Sequence, residues 1–222
     1  MATKAQDAFT EASDTYLESH TPDVGTGWVV SDASEILVNA ANDKVTGDAD
    51  TGSFRHARET TDIGDDDMDV SLLCFASGTT SRRIGVCGRI PAETPVNNLY
   101  RASLRGSDFL VELEKVVGGV ATALGTYTFT GNTATLKLEI RTAAKKVYVD
   151  GVERISTTDD SLIGNQFAGL FLRNRPLSVC SGDDFLSESI AAAEGPDTFA
   201  KRQLREDWLL RTNRIAEHLV GA

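Results

Sequence analysis

Cysteine, aromatic residues, positive charge and long apolar runs are all scarce in this chain, and each scarcity removes a class of protein. Three cysteines, Cys74, Cys87 and Cys180, are too few and too scattered for a disulfide framework or a paired CxxC zinc site. The three histidines, His20, His56 and His218, are equally dispersed, which argues against a zinc centre or a His-based catalytic triad. Lys and Arg number 22 against 33 Asp and Glu, a formal net charge of −11. A chain of that sign repels phosphate backbones, so no nucleic-acid partner is expected. No window reaches the ~18 apolar residues of a membrane span. The opening "MATKAQDAFTEASD" has no apolar h-region, so neither membrane insertion nor a secretion signal is expected. Aromatic residues make up 7% of the chain, and most of these are needed for a core.

What is present is alternation. "ATLKLEIRT" puts Leu136, Leu138 and Ile140 on one face and Lys137, Glu139 and Arg141 on the other, the period of a half-buried strand. "GWVVSD" and "EILVN" are short strand runs joined by a polar turn, and "MDVSLLCFAS" is a nearly continuous apolar run. "NLYRASLRG" and "DFLVELEKV" alternate across the bend "RGSD". In "KKVYVDGVERISTTDDSLIGNQFAGLFL", Asp150-Gly151 carries the signature of a type I′ hairpin turn, whose two central residues need positive φ. No helical period is sustained before residue 190. The expectation is an all-β domain over residues 1–190, a two-sheet antiparallel sandwich. If "DVSLLCFAS" and "RRIGVCGRI" form a hairpin, pairing Ser77 with Ile84 sets Cys74 opposite Cys87, and the expectation is two neighbouring, reduced, buried thiols.

The ending differs. "AAAEGP" (191–196) reads as a linker, and residues 197–222 as an amphipathic α-helix starting at Pro196-Asp197 and stopping at Gly221. Leu204, Trp208, Ile215 and Leu219 fall within ~60° on a wheel advancing ~100° per residue, with Arg211 inside the stripe. The tail carries a net charge of +1 against −12 for residues 1–196. A sandwich closed by "SGDDFLSESI" has buried its own core, so the stripe Leu204/Trp208/Arg211/Ile215/Leu219 is expected to dock on a partner or self-associate, with folding back onto its own sandwich as the alternative.

Several of these segments resemble one family. "DAFTEASDTYLESHTPDVGTGWVV", followed by "MDVSLLCF", "GVCGRI", "NLYRASL" and "LKLEIRTAAKKVYVDGVERISTTDDSLIGNQFAGLFL", is similar to the concanavalin A-like lectin/glucanase (laminin-G-like) jelly rolls over about residues 7–190, with "SGDDFLSESI" resembling the closing strand. The resemblance implies a concanavalin A-like jelly roll. Among small proteins of this type it lies nearest the structural proteins of tailed bacteriophages.

That resemblance brings three kinds of site to weigh. Glycosidases of the family set carboxylates at alternate strand positions. Glu112/Glu114 and Asp67/Asp69 have that spacing, but neither pair has the family's third acid, so a solvated strand face with Val111 and Leu113 buried is expected, and no catalytic residues. Sugar binding would use the concave sheet. Arg89, Tyr100 and Arg101 are the candidates there, with Trp28 and Tyr127 in reserve. Calcium would use acidic loops. "GDDDMD", "TTDDS" and "GDD" qualify only by composition, because turns favour Asp and Ser anyway, and no metal or other cofactor is expected. The leading expectation is a non-enzymatic virion structural protein, displayed on capsid or tail, anchored by its C-terminal helix to other virion proteins or to copies of itself. The alternatives are a carbohydrate-binding, lectin-like module contacting host glycans and, behind it, a glycoside hydrolase.

Overall fold

The computed structural model describes residues 1–31, 36–47, 54–77, 82–92, 97–173 and 180–190, all within one compact unit, Met1–Ile190. The linker 191–196, the expected helix 197–222 and its stripe Leu204, Trp208, Arg211, Ile215 and Leu219 lie outside the described residues.

Sixteen strands and a single 3-10 turn (Leu17–Ser19) make up the described elements, arranged as two antiparallel sheets. The nine-stranded sheet contains β1 (Ala2–Asp7), β2 (Thr15–Tyr16), β4 (Ile36–Asn39), β5 (Lys44–Gly47), β7 (Met68–Ala76), β12 (Thr133–Ile140), β13 (Ala144–Val149), β14 (Val152–Thr158) and β16 (Cys180–Ser189). Its order is β14-β13-β12-β7-β16-β5-β4-β2, with β1 beside β16. The seven-stranded sheet contains β3 (Trp28–Val30), β6 (Phe54–Glu59), β8 (Arg83–Ile90), β9 (Leu99–Arg105), β10 (Leu110–Val117), β11 (Val120–Thr128) and β15 (Phe167–Arg173), ordered β11-β10-β9-β8-β15-β6-β3.

The core follows from period-2 patterning. Val70, Leu72 and Cys74 of β7 and Leu136, Leu138 and Ile140 of β12 point inward from one sheet. Ile84, Val86, Ala102, Leu104, Val111, Leu113, Leu170 and Leu172 meet them from the other, all of them buried. The expected alternation in "ATLKLEIRT" is therefore observed. So are the β9–β10 hairpin, with Leu110 opposite Arg105, and the Asp150-Gly151 turn, with φ of 50° and 78°. The closing segment returns beside the start, with Phe185 opposite Asp7.

One expected pairing does not form. β7 and β8 belong to different sheets, so the chain crosses the sandwich between them and Cys74 does not face Cys87. Cys74 lies in the inter-sheet core with Cys180, whereas Cys87 packs on the other side of the seven-stranded sheet with Ile90, Leu99, Val116 and Phe171. All three thiols are free and buried. β3 and β4 likewise belong to different sheets. β7 and β8 are buried along most or all of their length, so each takes a central place in its own sheet, with strands on both sides, rather than forming a hairpin.

The opening segment folds into a cap of its own. The Asp7 carboxylate accepts from Trp28 Nε1 at 2.9 Å, His20 Nε2 at 2.8 Å and the Phe9 amide at 2.8 Å. His20 Nδ1 lies 2.7 Å from Glu11. The Trp28 ring packs edge-on to Phe185, their centroids 4.9 Å apart. Burial alone would lower the His20 pKa, but its hydrogen bonds to Asp7 and Glu11 outweigh that and raise it.

Candidate functional site

Alternation gives the seven-stranded sheet a second face, turned away from its partner sheet. Phe54, His56 and Arg58 of β6 point there, as do Phe167, Gly169, Phe171 and Arg173 of β15. Arg83, Gly85 and Cys87 of β8 join them, together with Arg101, Ser103 and Arg105 of β9 and Glu112 and Glu114 of β10. Glycine at 85 is required, because a Cβ there would run into the main-chain oxygen of Ala102. That close approach makes a flat floor beside the Phe171 ring.

On this floor sits a layer of charge. Arg83 Nη1 lies 2.7 Å from Glu112 Oε2 and 3.0 Å from Glu114 Oε2, and Arg101 Nε donates to Glu114 Oε2 at 2.8 Å. The Arg101 guanidinium lies against the rings of both Phe54 and Phe171, 4.3 and 4.9 Å from their centroids. His56 stacks on Phe171 from the next strand, with centroids 5.9 Å apart. Burial, with Arg101 beside it, lowers the His56 pKa to about 3, so the ring is neutral. Arg105 grips Asp108 through two bonds of 2.7 and 2.6 Å at the rim. Arg58 lies over Phe167 at 4.3 Å.

The layer is not fully satisfied. Buried Ser103 Oγ, Arg83 Nε and Arg58 Nε have no hydrogen-bond partner. The Glu112 oxygen beside Arg83 is close in charge but misaligned for a hydrogen bond. Such groups cost free energy unless a solvent or ligand atom completes them.

The three sequence candidates are thus separated. Arg101 is at the centre of this face. Tyr100, its neighbour on β9, points into the opposite, inter-sheet core. There its hydroxyl donates to Asp159 Oδ1 at 2.5 Å, and burial together with Asp159 raises its pKa to about 12. Arg89 is fully buried at the end of the sandwich. A bulge at positive φ (52°) turns its side chain inward, where Nε donates to Asp66 O at 3.0 Å and Nη1 to Leu162 O at 2.6 Å. Neither can touch a ligand on the sheet. Trp28 and Tyr127 also pack against the core. Glu112 and Glu114 are not a solvated face: both are buried, because the arginines opposite draw them into the layer, while Val111 and Leu113 are buried on the other side as expected.

The acidic loops are held by the protein itself. Asp159 takes Lys115 Nζ at 2.6 Å as well as Tyr100 and Ser161. Although burial acts the other way, these bonds hold its carboxyl well below the usual range. Lys145, its pKa lowered to about 8 by burial and then by Arg89, donates to Asp159 O at 2.8 Å. Asp67 accepts from the Thr142 amide at 2.6 Å, and Asp66 from that of Gly164. Asp69 is paired with Arg141 at 2.9 Å and Lys137 at 3.2 Å. Among the described residues no group of three or more His, Cys, Asp or Glu side chains could hold a metal ion.

Sequence reasoning missed Phe54, His56, Phe171, Arg83 and Arg105. The signal was in "FRHARE", where an aromatic, a histidine and an arginine recur at alternate positions of a strand too short to be an exposed ribbon.

Comparison with solved structures places the architecture among jelly-roll, concanavalin A-like sandwiches. The carbohydrate-binding module CBM66 from Bacillus subtilis matches with a TM-score of 0.56 at 19% identity, covering 74% of this chain and 97% of that one. The exoplasmic/lumenal domain of VIP36 in its Ca2+/Man2-bound form matches at 0.58 and 12% identity, covering 82% and 89%. A variant of the GH43 protein BlXynB from Bacillus licheniformis matches at 0.57 and 17% identity, over 85% of this chain but only 39% of that protein. At these identities the likeness is one of fold. No family model and no curated protein sequence matches the chain.

Proposed function

We propose that this sandwich is a non-enzymatic carbohydrate-binding module that recognises a saccharide on the outer face of the seven-stranded sheet. The observation that carries the proposal is the layer built around Arg101: guanidiniums and carboxylates fixed by one another beside aromatic rings, which sets the part-exposed Phe54, Phe167 and Arg105 in fixed positions at its surface. A pyranose ring offers an apolar face to the half-buried Phe54 and Phe167, and its polar groups a partner for the part-exposed Arg105 at the rim, while the buried layer beneath fixes where these groups stand. Arginines 58, 83, 101, 105 and 173 outnumber Glu112, Glu114 and the rim Asp108 on this face, in a chain whose overall charge is −11. That local excess favours saccharides bearing a carboxylate.

A binding role suits the two glutamates better than hydrolysis. Arg83 sits between them, in the space that a glycosidic oxygen would have to enter. The virion role implied by the sequence resemblance draws support from none of the structural neighbours, whose names include a carbohydrate-binding module and a mannose-bound lumenal domain. Glycan recognition therefore becomes the leading reading.

The test is an array of neutral and uronic- or sialic-acid-bearing glycans probed with the full chain and with Arg101→Ala and Arg105→Ala. Saturable binding that both variants lose supports the proposal. Absence of binding to every glycan, or equal binding by all three proteins, overturns it.

A further inference from the structure

A second concavity lies on the other sheet, on the face turned away from the sandwich core. Its volume is about 480 Å³, inside the range of roughly 300–1,000 Å³ usual for small-molecule sites. The cleft forms because β16 changes partner. β16 pairs with β5 as far as Gly182 and with β1 from Phe185, and between them a bulge shifts its register on β7 and puts Asp184 at φ 51°. A bulge of this kind bends the strand and re-aims its side chains. Here it opens a hollow spanning β1, β16, β7 and β12, roughly 14 Å across at the usual strand spacing.

The lining has a definite chemistry. Thr3 and Gln6 come from β1, Ser71 from β7, Thr135 from β12 and the exposed Asp184 from β16, over a floor that includes Leu73 and Leu186. Among the described residues no hydrogen bond or ion pair engages the side chains of Thr3, Gln6, Ser71 or Thr135. Three hydroxyls, one amide and one carboxylate thus converge on an open hollow with a partly apolar floor. Among the described residues no lysine or arginine lines it, and Asp184 with neighbouring Asp183 makes it hostile to anions.

We infer that this cleft is a second saccharide site, one that takes a neutral sugar of about disaccharide size. The inference rests on the carbohydrate-binding reading of the fold but shares no residue with the arginine-lined face. The two sites then sort ligands by charge, acidic saccharides on the seven-stranded sheet and neutral ones on the nine-stranded sheet.

Amide chemical shifts of the full chain during titration with maltose, lactose, mannobiose and xylobiose test it. At least one of the four should move the amides of residues 3–8, 71–73 and 184–186 saturably. Thr135→Trp, which fills the hollow from an exposed position, should weaken that binding at least tenfold, and Asp184→Asn, tolerated at positive φ, should weaken it less. Arg105→Ala should leave it unchanged. If no disaccharide moves these amides at millimolar concentration, or if Thr135→Trp has no effect, the second site is refuted whatever the acidic glycans do. Binding of acidic glycans that fails while the cleft still responds refutes only the proposal for the seven-stranded face.

Discussion

Glu114 holds the arginine layer together, so its charge is the place to perturb. Glu114→Gln keeps the side-chain volume and an amide oxygen but removes the negative charge shared by Arg83 Nη1 (3.0 Å) and Arg101 Nε (2.8 Å), and puts an N–H₂ donor among the arginines. The Glu114 side chain is only 9% exposed and that of Arg101 only 3%, so water cannot compensate the lost charge. Breaking one member of a buried pair costs about 3–5 kcal/mol. The lower figure applies here, because Arg83 keeps Glu112 at 2.7 Å. For a domain of this size each kcal/mol moves the melting temperature about 2–4 °C, so a fall of about 6–12 °C is expected by calorimetry or circular dichroism. The exposed pair Lys146–Glu153, at 2.8 Å, is the control, and Lys146→Ala should leave the melting temperature nearly unchanged. Arg101→Met combined with Glu114→Met should melt above Glu114→Met alone, since an apolar pair leaves no orphaned charge. A fall below about 2 °C for Glu114→Gln would refute the view that this layer is a desolvated network.

Two histidines give opposite pH limbs. His20 binds its proton more tightly when folded, so its contribution is complete below the unfolded pKa of about 6.5 and is lost as pH rises through the raised folded value. His20→Gln should flatten that alkaline limb in urea titrations. His56 refuses its proton until about pH 3 when folded. The unfolded chain protonates near 6.5, so stability falls as pH drops from there, and His56→Phe should remove that part of the acid limb. The three buried thiols should resist an aromatic disulfide reagent in native buffer and all react in urea, and intact mass under non-reducing conditions should show no internal link. Gly85→Ala should cost at least the ~1–3 kcal/mol of an overpacked site, seen as a lower urea midpoint or lost soluble yield, because its Cβ meets fixed backbone.

Much of the fold was legible because one-sided strands declare themselves. "ATLKLEIRT" and the Asp150-Gly151 hairpin needed no tertiary information to be placed. β8 is buried along its whole length and β7 along most of it, so alternation could not say which sheet either joins, and the gap between them suits a turn or a crossing equally. The site was half legible for a related reason. Tyr100 and Arg101 are adjacent on a strand and necessarily face opposite sides, so parity alone forbade their sharing a platform. Arg89 defeats parity instead: it would point outward with Arg83 and Cys87 but for the bulge. The buried glutamates could not be read locally, since their burial depends on arginines brought alongside from other strands.

Arg89 has one more consequence. Its two side-chain hydrogen bonds to other segments go to the main-chain oxygens of Asp66 and Leu162, so the clamp registers chiefly where the backbone lies, with the Asp67 carboxylate 3.9 Å from Nη2 as the one side-chain charge paired with it among the described residues. The loops it joins can exchange surface residues other than Asp66, Asp67 and Asp159, which hold loop bonds of their own, while keeping their path, provided the arginine stays. That end of the sandwich is therefore a frame on which new loop chemistry can be written without rebuilding the domain, and it is where altered specificity would be cheapest to engineer.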